Sequence, residues 1–182
     1  MNNINESIIC SGFGGQGIMV LGKFLANTGL SLGLHVTWLP SYGAEVRGGT
    51  AHAMIRIATD PIGNPVVSDA TVVIIMNNPS FDKFEKKVMP GGLLILNDSM
   101  VDKKCKRDDI DIIEASLTDE AILLGNVKVS NMIAVGIYAA RKKMFNKELL
   151  IKTIEQMAAG REALVSINIK AIERGMELGK QG

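Results

Sequence analysis

The chain has 182 residues, 47% of them hydrophobic, and a formal net charge of +1 at neutral pH. So small a net charge gives no positive electrostatic potential that would attract a nucleic acid or an anionic membrane, and we expect neither as a partner. The length allows one buried core and no linker interrupts it, so we expect a single domain over residues 1–182.

Cysteine usage and the first residues narrow the class of protein further. Cys10 and Cys105 belong to no CxxC or Cys/His spacing, which argues against a zinc site or an iron–sulfur cluster carried by this chain. The opening MNNINESIIC lacks the basic and apolar regions of a signal peptide, and no run of 18 apolar residues occurs. The sequence therefore predicts a cytoplasmic protein.

Hydrophobic periodicity predicts strands and helices that alternate along the chain. The predicted strands cover residues 6–10, 35–39, 51–58, 70–76, 93–96 and 110–114. The predicted helices cover residues 16–32, 79–88, 116–124 and 130–144, with two more capped by Asn146 and Asn168 and with Ser130 as a further cap. The run ATVVIIM at 70–76 is typical of a strand buried on both faces. This order predicts an α/β fold, a three-layer α/β/α arrangement whose central sheet is mostly parallel and mixed around residues 51–70.

A glycine loop, GFGGQG at residues 12–17, follows the first predicted strand. We predict that Gly12 allows a tight turn, Gly14 close approach by a ligand, and Gly17 packing of the helix near the strand; Gly15 and Gln16 complete the candidate site. A dinucleotide site would also need an acidic residue at the end of the second strand, and none occurs there. A phosphate-binding or interface role and a purely structural turn both remain open.

A second loop, SYGAEVRGGT at residues 41–50, follows the second predicted strand. Its glycines can direct backbone N–H groups at an anion. Arg47 offers a planar guanidinium with several hydrogen-bond donors, and Glu45 can hold that guanidinium in place. The candidate binding residues of this arginine loop are Ser41, Tyr42, Gly43, Glu45, Arg47, Gly48, Gly49 and Thr50. If the first two strands are parallel neighbours, both loops open on one edge of the sheet; the alternative is a surface turn in which Arg47 pairs with an acid.

Other polar residues give weaker signals. Asn77 follows the 70–76 strand and is added to the candidate binding residues, whereas Ser80 is interpreted as a helix cap. His35 and His52 lack a nucleophile at triad spacing, so we interpret both as polar residues within strands. No catalytic residue and no metal ligand is predicted.

Three segments carry a resemblance to a known family: IICSGFGGQGIMVLGKFLA, SYGAEVRGGTAHAMIRIA and SDATVVIIMNNPSFDKFEKKVMPGGLLILNDS. Their order and spacing, with Asn77, Pro79, Ser80 and Phe81 in an NxPSF pattern, resemble the gamma subunit of 2-oxoacid:ferredoxin oxidoreductases. The resemblance extends from about residue 8 to about residue 129 and more loosely to the end. Within the family the 2-oxoglutarate enzyme is most similar, ahead of the pyruvate, branched-chain and indolepyruvate enzymes.

The resemblance implies oxidative decarboxylation of a 2-oxoacid to its acyl-CoA and CO2, with electrons passed to ferredoxin. The chain lacks the usual thiamine-diphosphate motif and the ferredoxin cysteine pattern. The resemblance implies that thiamine diphosphate, Mg²⁺ and iron–sulfur clusters belong to partner alpha and beta subunits, and to a ferredoxin-like delta subunit where one is present. The gamma subunit would complete the assembly and help shape the path by which coenzyme A enters the complex. The alternative is a free-standing Rossmann-like nucleotide-binding or regulatory module.

A subunit of this kind should keep an apolar patch that its partners cover. We expect this patch beside residues 42–50 or on the 132–144 helix. Self-association is the expected way for an isolated chain to cover it.

Overall fold

A computed structural model describes residues 3–41, 50–158 and 160–181. The strands of the described chain are β1 (Asn5–Gly12), β2 (His35–Ser41), β3 (Ala51–Ala58), β4 (Ala70–Ile75), β5 (Val88–Asn97) and β6 (Asp111–Ala115). Its α-helices are α1 (Ile18–Ser31), α2 (Asn78–Phe84), α3 (Leu117–Leu123), α4 (Ser130–Lys142), α5 (Lys147–Ala158) and α6 (Glu162–Leu178). Short 3-10 turns precede β5 and α4.

The six strands form one sheet in the order β2-β3-β1-β4-β5-β6. β3 runs antiparallel to both of its neighbours, and the β1–β4, β4–β5 and β5–β6 pairs are parallel. The predicted α/β class and the mostly parallel, mixed sheet are therefore confirmed. The assumption that the first two strands are neighbours is wrong, because β3 inserts between them. β1 and β2 still run in the same direction, so both end at the same edge of the sheet.

Helices cover the two faces of the sheet unequally. On one face, residues such as Ile8, Cys10 and Ile74 pack against α1, α3 and α4, and α5 and α6 pack on the outside of those helices. On the other face, Ile9 and its neighbours pack against α2 and the segment that follows β5. Alternate residues of one strand enter different clusters because successive side chains of a strand point to opposite faces.

Helix α4 is the centre of the larger layer. It is buried along nearly its whole length, from Ser130 to Ala139, because α6 lies directly against it. Gly136 of α4 and Gly175 of α6 face each other at the crossing. The expectation of an exposed apolar patch on the 132–144 helix is therefore wrong.

The helix ends differ from prediction at two caps. Asn146 does cap α5, since its Oδ1 accepts a hydrogen bond from the Leu149 N–H at 2.9 Å. Asn168 does not begin the last helix: α6 starts at Glu162, and the Asn168 side chain donates to the Leu164 carbonyl within it. Ser130 is the first residue of α4 rather than its cap. None of the described helices is long and apolar enough to cross a membrane.

Candidate functional site

The candidate site lies at the carboxyl ends of the parallel strands. Gly12 ends β1 and Asn77 follows β4. The Met76 N–H donates to the Ser11 carbonyl at 2.9 Å, which holds the two strand ends together. This edge is where α/β sheets commonly bind ligands, because several loops meet there.

The side chain of Gln16 holds the glycine loop in shape. Its Oε1 accepts a hydrogen bond from the Phe13 N–H at 2.9 Å, and its Nε2 donates to the Met76 carbonyl at 2.9 Å. Gly12 makes room for this bridge, since a Cβ at that position would lie 2.5 Å from Gln16 Oε1 and 3.0 Å from Met76 Cβ. Gly12 therefore serves close packing, not the tight turn expected from the sequence.

Gly14 and Gly15 form the open part of the loop. Both are exposed, and a Cβ built on either would meet no atom within 4 Å. Gly15 has a φ of 107°, which residues with a side chain rarely adopt. A glycine at this position therefore leaves the loop backbone uncovered by a side chain. A ligand or a partner chain can therefore reach the backbone here.

Gly17 joins the loop to α1 and α4. Its φ of 72° is left-handed, and its carbonyl accepts hydrogen bonds from the Leu21 N–H at 2.8 Å and from Asn131 Nδ2 at 3.2 Å. A Cβ on Gly17 would lie 2.5 Å from that amide nitrogen. The close approach that Gly17 permits is thus to α4, not to the strand.

The residues that flank the arginine loop lie on the same edge as the glycine loop. Ser41, the last residue of β2, pairs with His52 of β3, and His52 pairs with Ser11 of β1. Two strand spacings, about 10 Å, therefore separate the ends of β1 and β2. The predicted residues Tyr42, Gly43, Glu45, Arg47, Gly48 and Gly49 lie outside the described residues. Their role stays a prediction.

His52 lies beside this edge on the α2 face. Its ring packs against Phe84 with 5.0 Å between the ring centroids, and Lys83 donates to the Thr50 hydroxyl nearby at 3.4 Å. Burial lowers the pKa of the His52 imidazole below its usual value, and the positive charge of Lys83 lowers it further. A neutral, half-buried ring fits the interpretation of His52 as a polar residue within a strand.

Asn77 has a structural role in the described chain. Its Oδ1 accepts a hydrogen bond from the Ser80 N–H at 3.0 Å and so caps α2. Ser80, the cap expected from the sequence, is fully buried and is the third residue of the helix. Binding of a ligand by Asn77 stays a prediction. Because Oδ1 caps α2, the side-chain amide nitrogen would have to make that contact.

A cavity of about 350 Å³, here called the interhelical pocket, opens beside the glycine loop. It lies between α1, the turn before α4, α5 and the start of α6. Its lining residues are Gly15, Gly17, Val20, Phe24, Asn126, Lys128, Val129, Asn131, Met132, Ile154, Met157, Ala158, Arg161, Leu164 and Asn168. Sequence reasoning missed this pocket because its walls come from segments more than 100 residues apart.

The described residues offer no ligand set for a metal ion. They contain no group of three or more His, Cys, Asp or Glu side chains placed to hold one. Cys10 is buried in the core and Cys105 lies on the opposite side of the sheet beside Glu85, so the two thiols cannot share a cluster.

Comparison with protein families gives one model that spans most of the chain. Residues 7–178 match the model described as pyruvate ferredoxin/flavodoxin oxidoreductase. The ketoisovalerate oxidoreductase subunit VorA of Methanothermobacter marburgensis is 29% identical over 172 residues. That match covers 94% of this chain but only 36% of VorA, so the chain spans about a third of that relative's length.

Two further proteins match at nearly full coverage of this chain. The 2-oxoglutarate synthase subunit KorC of Methanocaldococcus jannaschii is 26% identical over 183 residues, which cover 98% of this chain and 96% of KorC. The fold is also similar to a structure of the 2-oxoglutarate:ferredoxin oxidoreductase of Magnetococcus marinus, with a TM-score of 0.85 and 21% identity. That similarity covers 97% of this chain and 31% of the other, whose structure has 2-oxoglutarate, coenzyme A and succinyl-CoA bound.

Proposed function

Since the chain belongs to the pyruvate ferredoxin/flavodoxin oxidoreductase family, we propose that it is the gamma-type subunit of a multi-subunit 2-oxoacid:ferredoxin oxidoreductase. The reaction of the complex is oxidative decarboxylation of a 2-oxoacid to its acyl-CoA and CO2, with reduction of ferredoxin. The observation that carries the proposal is the family match over residues 7–178, supported by coverage of 96% of the separate subunit KorC.

Other subunits supply the reacting groups in this proposal. The described residues hold no metal-ligand group, and the sequence has neither the thiamine motif nor the cysteine pattern of a ferredoxin. Thiamine diphosphate, Mg²⁺ and the iron–sulfur clusters therefore belong to alpha, beta and, where present, delta subunits. This chain completes the assembly through the edge that carries the glycine loop.

The proposed substrate is 2-oxoglutarate. Support comes from KorC, which matches this chain from end to end, whereas the match to VorA covers only part of a longer polypeptide. A reconstituted complex should show a kcat/KM for 2-oxoglutarate at least about tenfold above those for pyruvate and 3-methyl-2-oxobutanoate. A higher kcat/KM for 3-methyl-2-oxobutanoate would overturn the choice of substrate but not the subunit role.

We further propose that the glycine and arginine loops border the entry path of coenzyme A. The bare backbone at Gly14 and Gly15 leaves room for a diphosphate, and the first turn of α1 has N–H groups without intrahelical acceptors. Arg47 can add a bidentate contact to such an anion.

Substitution of Arg47 tests this role. Arg47→Ala should raise the KM for coenzyme A by about 10- to 150-fold, because a charge-assisted contact is lost, with little change in the KM for the oxoacid. Arg47→Lys keeps the positive charge but loses the bidentate guanidinium contact, so it should restore the KM for coenzyme A only in part. An unchanged coenzyme A requirement in an intact complex would contradict the proposal, and loss of assembly would assign Arg47 to a subunit interface.

Co-purification tests the subunit role itself. A tagged chain expressed with its genomic neighbours should bring down thiamine-bearing and iron–sulfur subunits, and the isolated chain should be colourless and inactive on oxoacids. A chain that purifies alone under these conditions would favour the free-standing module.

A further inference from the structure

The interhelical pocket has apolar walls and cationic residues at its mouth. Phe24, Met132, Ile154 and Ala158 are buried and form its inner wall. None of its described lining residues is acidic, whereas Lys128 and Arg161 both lie on it. A pocket of this composition favours an apolar group with negative charge beside it.

The charge of each cation is not neutralised by an acidic side chain of the described chain. Lys128 and Arg161 are both exposed, and neither belongs to an ion pair among the described residues. The Arg161 Nε donates to the Ala158 carbonyl at 3.1 Å, which fixes the start of its guanidinium at the pocket. No described residue accepts a hydrogen bond from its terminal nitrogens, which a carboxylate of a partner could reach.

The rim of the pocket is apolar as well as exposed. Val20 on α1 is 51% exposed and Leu164 on α6 is 38% exposed, and both line the pocket. Val127, next to Lys128 in the chain, is 51% exposed. A small molecule held at the inner wall would leave these side chains in water, whereas a chain segment laid across the mouth would bury them.

We propose that the interhelical pocket is a docking site for another subunit of the same oxidoreductase. The partner segment places an apolar side chain against Met132 and Ile154 and acidic residues against Lys128 and Arg161. This inference rests on the proposed function, because it needs a complex that the chain joins. It identifies the contact surface as α1, α5 and α6 beside Gly15, a surface distinct from the α2 face of the sheet.

Charge reversal at the mouth is the first test. The double variant Lys128→Glu/Arg161→Glu should weaken assembly with the co-expressed alpha and beta subunits at least about tenfold, because two attractive contacts become repulsive. Association should also weaken with added salt in the wild type and much less in the variant. Native mass spectrometry and titration by light scattering measure both effects.

A matched control uses Lys152→Glu/Lys170→Glu, which makes the same charge change on α5 and α6 outside this pocket. This control should assemble within about twofold of wild type. A second pocket variant, Leu164→Asp, tests the apolar rim at a partly exposed position where the fold itself loses little. All three isolated variants should keep the wild-type melting temperature.

Several results would overturn the inference. Equal assembly of the pocket and control variants would show that the pocket is not the docking site. A small anion released by denaturing the isolated wild-type chain, and absent from the double variant, would make the pocket a ligand site instead. A wild-type chain that does not assemble at all would remove the proposed function, and this inference with it.

Discussion

Gly136 on α4 and Gly175 on α6 lie against each other without intervening side chains. A Cβ built on Gly175 would lie 2.9 Å from the Gly136 Cα and would overlap the Ile133 carbonyl. Gly179 continues the contact one turn later, since a Cβ there would lie 2.8 Å from Ala140 Cβ. The two helices therefore touch through their backbones, and this contact buries α4.

Alanine at either glycine should destabilise the protein strongly. Gly136→Ala or Gly175→Ala forces a methyl group into backbone atoms, so we expect a loss of about 3 kcal/mol in the free energy of unfolding. Denaturant titration measures the change. Gly63→Ala is the control, because a Cβ there meets nothing within 4 Å, and it should change stability by less than about 0.5 kcal/mol. Equal effects at the three sites would contradict the close helix contact.

The glycine loop offers a pair of substitutions that separates packing from access. Gly12→Ala collides with the Gln16 bridge and should cost about 1–3 kcal/mol in the free energy of unfolding. Gly14→Ala points into open space and should leave stability within about 0.5 kcal/mol of wild type. A large stability loss in Gly14→Ala would show that the loop is closed at that point.

The lowered pKa of His52 makes stability depend on pH. Because burial favours the neutral imidazole, the unfolded chain binds a proton more readily than the folded chain. Stability from this group is complete above the ordinary histidine pKa, near 6.5, and is lost as the pH falls below it. The melting temperature of His52→Gln should therefore fall less between pH 7.5 and 5.5 than that of wild type.

His35→Gln is the control for that measurement, since His35 is exposed at the start of the edge strand. It should follow the wild-type pH profile. A His52→Gln profile as steep as wild type would show that His52 does not account for the acid sensitivity.

The two cysteines should differ in reactivity. Burial raises the pKa of the Cys10 thiol, which is wholly inside the core, so it should resist alkylation in the native protein. Partial burial, with Glu85 nearby, also raises the pKa of Cys105, but that thiol is accessible and should react slowly. Mass spectrometry should find one adduct on native protein, absent in Cys105→Ser, and two after denaturation. An adduct on Cys10 in the folded protein would contradict its burial.

Several parts of the fold were visible in the sequence. The β-branched run before Asn77 forms a buried central strand, and the glycine loop joins β1 to α1 as predicted. The resemblance to the oxidoreductase family is confirmed by the family match. These features depend on local residue types and on motif order, which a single sequence displays directly.

Features that depend on contacts between distant segments were missed. The insertion of β3 between β1 and β2 depends on pairing, and periodicity does not reveal which strands pair. The sequence did not reveal that α6 begins at Glu162, because the first turns of this helix are half exposed around the interhelical pocket and lack a clear apolar stripe. The spacing of Gly175 and Gly179 was a usable signal, because two small residues four apart allow close helix packing.

The position of β3 constrains the order in which the chain can fold. β1 and β2 have no hydrogen bonds to each other, and each pairs with β3, which lies later in the chain. During synthesis, β1, α1 and β2 therefore emerge from the ribosome before the strand that unites them. Among the described residues that precede β3, neither strand has a hydrogen-bonded neighbour, so the sheet begins to form only when β3 emerges.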